Sequence, residues 1–399
     1  MNELRLAEGG PPIVVALADE LGEALARSQV VTAIRLGSGN WEIGPGTKVG
    51  VVTVAGRAVW IRPKIDIRRI LFLLGYAKNP GWHEDTVGLV EVDDLVPALA
   101  HAFADQAERA LQLGLLQGYV EVADSLTVLR GRLREQDQLR RRFGIALPLL
   151  VRFDDHTVDI PENQLLRAAS ELLLRVPGVG TRTRARLRRL RGALGDVSRH
   201  VRGTPLPRWS PSRLNSRYHV ALWLAELILA GNAVDHAPGH VRLSGFLVDM
   251  AKVYEDFVTR ALSEAFRTHG GWCRSQDVHH LDVEDRIAIR PDLVWYFDGQ
   301  PAAVIDAKYK AEKPAGFPDA DLYQMLAYCT ALGLPDGHLV YAKGNAAQVN
   351  HEVRHVGVTI HAHTVDLDTS PAELLSQVGE LAARVAEGVV QPTRFVPAE

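Results

Sequence analysis

Three side chains on neighbouring apolar segments carry the densest chemistry in this 399-residue chain. Asp292 stands in Arg290-Pro291-Asp292-Leu293-Val294-Trp295, and Asp306 and Lys308 stand in Val304-Ile305-Asp306-Ala307-Lys308. Two carboxylates offer hard oxygen ligands to a divalent cation. Such a cation polarises a phosphodiester and lowers the pKa of water. A lysine beside them orients that water and stabilises developing negative charge. Asp306 and Lys308 are two residues apart, so on a strand they share a face while Ile305 and Ala307 turn towards a core.

Register decides whether Asp292 joins them. Thirteen residues separate Asp292 from Asp306, a spacing that suits a hairpin, with its turn near Phe297-Asp298-Gly299-Gln300-Pro301. Asp-Gly is a strong hairpin signal. A two-residue loop at Asp298-Gly299 pairs Asp292 with Ile305, on the wrong face. A three-residue loop, Asp298 to Gln300, pairs Asp292 with Asp306, and a bulge also repairs the register. The chemistry therefore requires the longer loop or a bulge. The plainer alternative is an ordinary hairpin with scattered surface charges. Acid on one strand and acid-x-lysine on the next is the PD-(D/E)xK arrangement of metal-dependent nucleases.

Two flanking segments must position this hairpin. Met250 to Leu262 reads as a helix, with Met250, Tyr254, Phe257, Val258, Ala261 and Leu262 forming an apolar stripe. Glu255 sits beside that stripe, where it is either an accessory acid directed at the metal or a solvated helix charge. Asp319 to Tyr328 reads as the helix after the lysine strand, with Gln324 and Tyr328 one turn apart. Gln324 either positions water or phosphate or is a polar residue on a docking helix.

Several blocks in order give the chain a wider resemblance. Val49 to Val54 followed by Val59-Trp60-Ile61-Arg62-Pro63-Lys64-Ile65 is similar to an N-terminal strand pair of the McrC family. Leu129-Arg130-Gly131-Arg132-Leu133 resembles that family's basic turn. Phe153 to Asp159 with Glu162-Asn163-Gln164-Leu165-Leu166 resembles its Asp-rich loop and following helix. Gly245 to Met250 with Tyr254-Glu255 resembles the start of its nuclease domain. McrC-type chains are nuclease subunits of the McrBC 5-methylcytosine-specific restriction system. The resemblance implies work with McrB, a GTP-hydrolysing AAA+ ring that recognises modified DNA. Residues 1 to about 30 match nothing familiar. No Gly-x4-Gly-Lys-Ser/Thr phosphate loop is present, so GTP is expected only through the partner. Gly44-Pro45-Gly46-Thr47-Lys48 has the wrong spacing and reads as a turn.

Composition bounds the rest. The length suggests two or three domains. Cys273 and Cys329, far apart, argue for a reducing cytoplasm rather than a disulfide framework. The opening residues carry no signal-peptide pattern, and no apolar run approaches the roughly 20 residues that span a membrane. Net charge is −3, so any nucleic-acid contact must be local. Local basic density lies at Arg130, Arg132, Arg134, Arg140, Arg141 and Arg142, and at Arg182, Arg184, Arg186, Arg188, Arg189 and Arg191. Arginine forks bind phosphate bidentately. The second cluster is assigned to the DNA backbone, with a partner surface or a solvated helix face as the alternatives. Val176-Pro177-Gly178-Val179-Gly180 before it reads either as a plain turn between helices or as a phosphate-holding helix-hairpin-helix. His351-Glu352-Val353-Arg354-His355 matches a zinc-protease pattern, but its β-branched surroundings favour strand. There the histidines stand about 13 Å apart, too far for one zinc.

The expected layout is mostly strands over 1–85 closed by a short helix at Ile67 to Tyr76, and a long helix over 92–118 capped by Asp93 or Asp94. Helices follow over 162–233, broken near Pro205 to Ser212. The fold class is α/β: an N-terminal β-rich partner-binding domain (1–160), a helical linker region (161–245) and a PD-(D/E)xK nuclease domain (246–399), a mixed sheet flanked by helices. The reading is a cytoplasmic Mg²⁺-dependent DNA endonuclease subunit that defends against foreign DNA. Asp292, Asp306 and the Ala307 carbonyl hold the metal, Lys308 is catalytic, and Glu255 and Gln324 assist. Its partners are a McrB-like AAA+ GTPase and methylated double-stranded DNA, with no membrane. The rivals are a stand-alone repair nuclease and a non-catalytic activator of an AAA+ ring.

Overall fold

The computed structural model describes residues 3–80, 94–141, 147–201, 203–231, 243–309, 319–342 and 349–390. The chain is a mixed α/β protein. Its strands and helices begin β1 (Glu3–Ala7), β2 (Ile13–Ala16), α1 (Asp19–Ser28), β3 (Val31–Gly37), β4 (Asn40–Pro45), β5 (Lys48–Val54), β6 (Arg57–Arg62) and α2 (Ile67–Lys78). Helix α1 falls within the stretch expected to be mostly strand. Its Leu25 and Ala24 are buried, acids occupy its first turn, and Gly22 lies against the Trp41 ring, where a Cβ would approach to 2.1 Å.

There follow α3 (Leu95–Leu111), β7 (Gly118–Leu126), β8 (Arg132–Leu133), α4 (Glu135–Arg141), β9 (Leu149–Thr157), α5 (Pro161–Leu173), α6 (Thr181–Ala193) and α7 (His219–Ala230). Helix α3 is shorter than the expected 92–118. It starts after Asp94, whose side chain makes no capping bond, and the chain leaves helical geometry by Gly114 at φ +85°. The alternative cap, Asp93, lies outside the described residues. The last third carries β10 (Leu243–Asp249), α8 (Met250–Phe266), β11 (Trp272–Ser275), β12 (His279–His280), β13 (Ala288–Ile289), β14 (Leu293–Phe297), β15 (Gln300–Lys308), α9 (Asp319–Leu332), β16 (Asp336–Ala342), β17 (Val349–Val353), β18 (Val358–Val365) and α10 (Pro371–Val390). His351 lies in β17, opposite Ile360 of β18, and His355 lies in the turn beyond.

Two compact units share these elements. One comprises Met1–Glu3, Val51–Val59 and Val87–Leu247; the other comprises Leu4–Gly50, Trp60–Thr86 and Val248–Glu399. Residues 1–160 thus contribute to both. In the first unit α3, α5, α6 and α7 pack together, and β7, β9 and β8 form a three-stranded sheet. The α3–α6 packing carries a polar clamp, in which Arg186 donates to Glu108 Oε2 at 2.7 Å and to Asp105 at 3.3 Å.

The second unit is built on a six-stranded sheet in the order β11-β14-β15-β16-β18-β17. β15, β16 and β18 run parallel, and β11, β14 and β17 are antiparallel to their neighbours. Alternation along the strands splits them into two apolar faces. On one, Val294, Val304, Leu339, Tyr341 and Ile360 pack with Met325, Tyr328 and Cys329 of α9. On the other, Trp295 stacks on Phe266 of α8 with centroids 4.7 Å apart. Helix α2 packs on α8 through Phe72, Tyr76 and Phe257, bringing an N-terminal segment into this unit. Among the described residues no helix is long and apolar enough to cross a membrane.

Helix α9 rides close to the sheet because β16 carries Gly337 beneath it. A Cβ there would meet Cys329 Sγ at 2.5 Å and Met325 Sδ at 2.7 Å. Gly337→Ala is expected to destabilise the protein by about 1–3 kcal/mol through overpacking. Urea unfolding checks this, and a loss below about 0.5 kcal/mol would show that α9 shifts freely.

Candidate active site

The hairpin of β14 and β15 solves the register problem with a bulge. Asp298 and Gly299 take φ +49° and +78°, the positive pair that a tight two-residue turn needs. That turn pairs Phe297 with Gln300 and Tyr296 with Pro301. Uncorrected, it would carry Asp292 to the wrong face. The register then shifts at Ala302, so Trp295 pairs with Ala303 and Leu293 with Ile305. Continued one residue past the Leu293–Ile305 pair, this register would bring Asp292 level with Asp306. The short loop and the repairing bulge are both present.

Strand β14 stops at Leu293, one residue after Asp292. Beyond its end the N–H of Ala307 has no strand to bond, and the Asp292 side chain takes it, with Oδ2 accepting at 2.9 Å. In a strand the N–H and C=O of one residue point to the same side. The Ala307 carbonyl is therefore directed into the same gap as the Asp292 carboxylate. Asp306 is 2% exposed and its Oδ2 forms an ion pair with Lys308 Nζ, on the face they share.

Helix α9 completes the arrangement. Tyr341 of β16 donates to Asp321 Oδ2 at 3.1 Å, fixing the first turn of the helix against the sheet. One turn on, Gln324 Oε1 accepts from Lys308 Nζ at 2.7 Å, and Gln324 Nε2 donates to the Tyr328 hydroxyl at 2.6 Å. That hydroxyl donates in turn to the Arg290 carbonyl at 3.3 Å. Lys308 is thus steered by a carboxylate and by an amide that is itself oriented. Burial, with Asp306 and Asp292 nearby, pushes the Tyr328 hydroxyl up to about 12, so it remains a donor.

Glu255 is not an isolated helix charge. Its Oε1 accepts from Lys252 Nζ at 2.7 Å and from Gln276 Nε2 at 2.8 Å. Gln276 Nε2 also donates to Asp292 Oδ1 at 2.9 Å. The sequence reading missed Gln276, which lies in the loop after β11 with no motif around it. Its one local peculiarity, a non-glycine backbone at φ +52°, is visible only in three dimensions.

The electrostatics follow from crowding acids in a half-buried place. Burial raises the Asp292 carboxyl to about 7, with the charges of Asp306 and Glu255 adding to the shift. Asp306 is also raised, by burial first, against the opposing pull of Lys308. Among the described residues no three His, Cys, Asp or Glu side chains converge to hold a metal by themselves. Mg²⁺ needs no such cage, because it keeps several waters and binds through one or two carboxylates. The hard-oxygen set of Asp292, Asp306 and the Ala307 carbonyl fits that pattern.

The arginines expected on DNA divide into two groups. Arg184 donates to the carbonyls of Leu174, Val176 and Val179, tying the Pro177-Gly178 turn to α6. Arg186 is spent on Glu108 and Asp105, as described above, because α6 packs on α3. Arg182, Arg188 and Arg189 are exposed, with Arg189 3.7 Å from Glu108. Of the other cluster, Arg130 lies over the Phe153 ring at 4.0 Å and bonds Asp155 at 2.7 Å, Arg132 and Arg140 are exposed, and Arg142 lies outside the described residues.

A mixed sheet between helices, with two acids and a lysine converging at the end of its central hairpin, defines the class of site. Residues 44–342 match the family described as McrBC 5-methylcytosine restriction system component, and the chain belongs to that family. Among solved structures it is similar to a chain from a half-complex of the tetradecameric assembly of Thermococcus gammatolerans McrB AAA+ hexamers with bound McrC. The identity is 18% over 96% of this chain and 100% of that one, with a TM-score of 0.63. A chain of the Thermococcus gammatolerans McrBC complex is 21% identical over 66% of this chain and 88% of that one, with a TM-score of 0.45. No curated protein matches.

The raised Asp292 carboxyl has a signed consequence. The folded chain holds this proton to a higher pH than the unfolded chain, whose carboxyl ionises near 3.9. Stability from this group is therefore full at low pH, falls as pH rises, and is lowest above about 7. Without divalent cation, Asp292→Asn is expected to be more stable than wild type at pH 8, by on the order of 2 kcal/mol, with the gap closing towards pH 4. Denaturant midpoints across that range test it, and a gap that fails to close assigns the shift to another group.

Proposed function

We propose that the chain is the Mg²⁺-dependent DNA endonuclease subunit of a McrBC-type restriction system, with a PD-(D/E)xK active site. The observation that carries this is that Asp292 accepts from the Ala307 N–H while Asp306, the preceding residue, pairs with Lys308 at the end of β15. Asp292, Asp306 and the Ala307 carbonyl would hold the cation. When bound, it supplies Lewis-acid polarisation of the phosphodiester and acidifies water. The protein's own groups do the remainder. Asp292 is locked through Oδ2 by the Ala307 N–H, so its carboxylate cannot swing away. Lys308 presents its ammonium where negative charge grows on the phosphate, and holds the attacking water in line. Gln324, oriented by Tyr328, keeps that ammonium aimed.

A McrB-like AAA+ GTPase is the proposed driver, and methylated double-stranded DNA the substrate. Family membership supports both, and GTP would act only through the partner. The first unit offers a surface for that partner. Around the basic turn, Val128 is 72% and Leu129 58% exposed, and Tyr119 at the start of β7 is 77% exposed. Apolar side chains this open, beside Arg130 and Arg132, suit a protein contact. Arg182, Arg188 and Arg189 remain the proposed backbone contacts to DNA.

Cleavage of methylated and unmethylated plasmid with Mg²⁺, with and without the neighbouring AAA+ protein and GTP, tests the whole reading. Asp306→Ala and Lys308→Ala are expected to lose at least about 100-fold in rate while still raising GTP hydrolysis by the partner. Cutting that survives in both variants would falsify the site. Cutting by the chain alone would favour a stand-alone nuclease, and stimulation of GTP hydrolysis without any cutting would favour the activator. Separately, Leu129→Asp is expected to abolish partner-dependent cutting and co-elution with the ring, with no loss of thermal stability. Unchanged co-elution would place the contact elsewhere.

A further inference from the structure

We infer that Gln276 is a positioning residue for the cation site, an inference that rests on the active-site reading above. A single atom, its Nε2, donates to Glu255 Oε1 at 2.8 Å and to Asp292 Oδ1 at 2.9 Å. A primary amide has two N–H groups, and here both are spent on carboxylates. With the Ala307 N–H on Oδ2, both oxygens of Asp292 are fixed by hydrogen bonds, and each retains a lone pair for a cation. The amide also draws Glu255, from α8, to the same point. It brings a further negative charge to the site, which strengthens attraction for a cation without requiring Glu255 to touch it.

The backbone shows that this placement is built in. Gln276 is held at φ +52°, a conformation that costs a non-glycine residue energy and persists only where its surroundings enforce it. Those surroundings are present on both sides. Ser275 is paired with Leu293 in the sheet, and the Gln276 N–H donates to the Asp292 carbonyl at 3.2 Å. Asp277 is buried and accepts from the Tyr296 hydroxyl at 2.5 Å and from Arg274 at 3.1 Å. The loop is thereby pinned to β14 immediately before and after the strained residue. A glutamine with no role beyond filling the loop would be replaceable by glycine with a gain in stability and no loss of cation affinity.

That contrast gives the test. Mg²⁺ alone is titrated into the full chain by calorimetry, and thermal midpoints are recorded with and without it. Gln276→Gly keeps the backbone and relieves its strain, so its cation-free midpoint is expected to equal or exceed that of wild type. Its Kd for Mg²⁺ is expected to rise 10- to 100-fold, the usual loss when a hydrogen-bond partner of a metal ligand is removed. Gln276→Ala should show the same weakening. Asp292→Ala should lose the binding altogether. If Gln276→Gly binds Mg²⁺ within about twofold of wild type while Asp292→Ala does not bind, Gln276 is structural and the inference fails. If Asp292→Ala binds as wild type does, the cation site itself is misplaced and the active-site reading fails with it.

Discussion

Everything at the site depends on two like charges being brought face to face at the end of a buried hairpin. A carboxylate pair of this kind resists assembly, since burial and mutual repulsion both push the protons back on. The register of β14 against β15 supplies the constraint. It is set by a tight Asp-Gly turn and then corrected by one extra residue at Ala302. The apolar residues either side of the bulge hold it. Trp295 is stacked on Phe266, and Val294 and Val304 are closed off by α9. Two packed faces thus hold the strands where the charges alone would not.

The acids of the site are balanced by hydrogen-bond donors and a lysine. Lys308 pairs with Asp306, the Ala307 N–H and Gln276 amide satisfy Asp292, and Lys252 and Gln276 satisfy Glu255. The donors come from β15, from α8 and from the loop after β11. The arrangement is held rigid but is short of positive charge, which fits the raised carboxyls of Asp292 and Asp306.

The N-terminal strands take part in the same unit through specific polar contacts. Glu8, buried, accepts from the Lys64 N–H at 3.1 Å, and the Lys64 ammonium lies 4.2 Å from the centre of the Tyr309 ring. Tyr309 directly follows Lys308. Burial raises the Glu8 carboxyl, against the pull of Lys64. The Arg62-Pro63-Lys64 block therefore reaches the end of β15. This explains physically why a motif more than 200 residues upstream belongs with the hairpin.

How much was legible in the sequence depended on the range of the interaction. Asp306, Ala307 and Lys308 share one strand, and alternation alone put Asp306 and Lys308 on one face. Gln324 and Tyr328 share one helix, and the 3.6-residue period put them one turn apart. The sequence also required a longer loop or a bulge for Asp292, although it offered no way to choose between them, because a bulge is selected by packing on both faces. Arg184 and Arg186 looked like their neighbours in a basic run. Only the packing of α6 on α3 and on its own preceding turn commits them to carbonyls and acids. Gln276 had no sequence signal at all. Its bridge joins a loop, a helix and a strand end that are distant in the chain, and a bond of that kind exists only once tertiary packing has brought its three parts together.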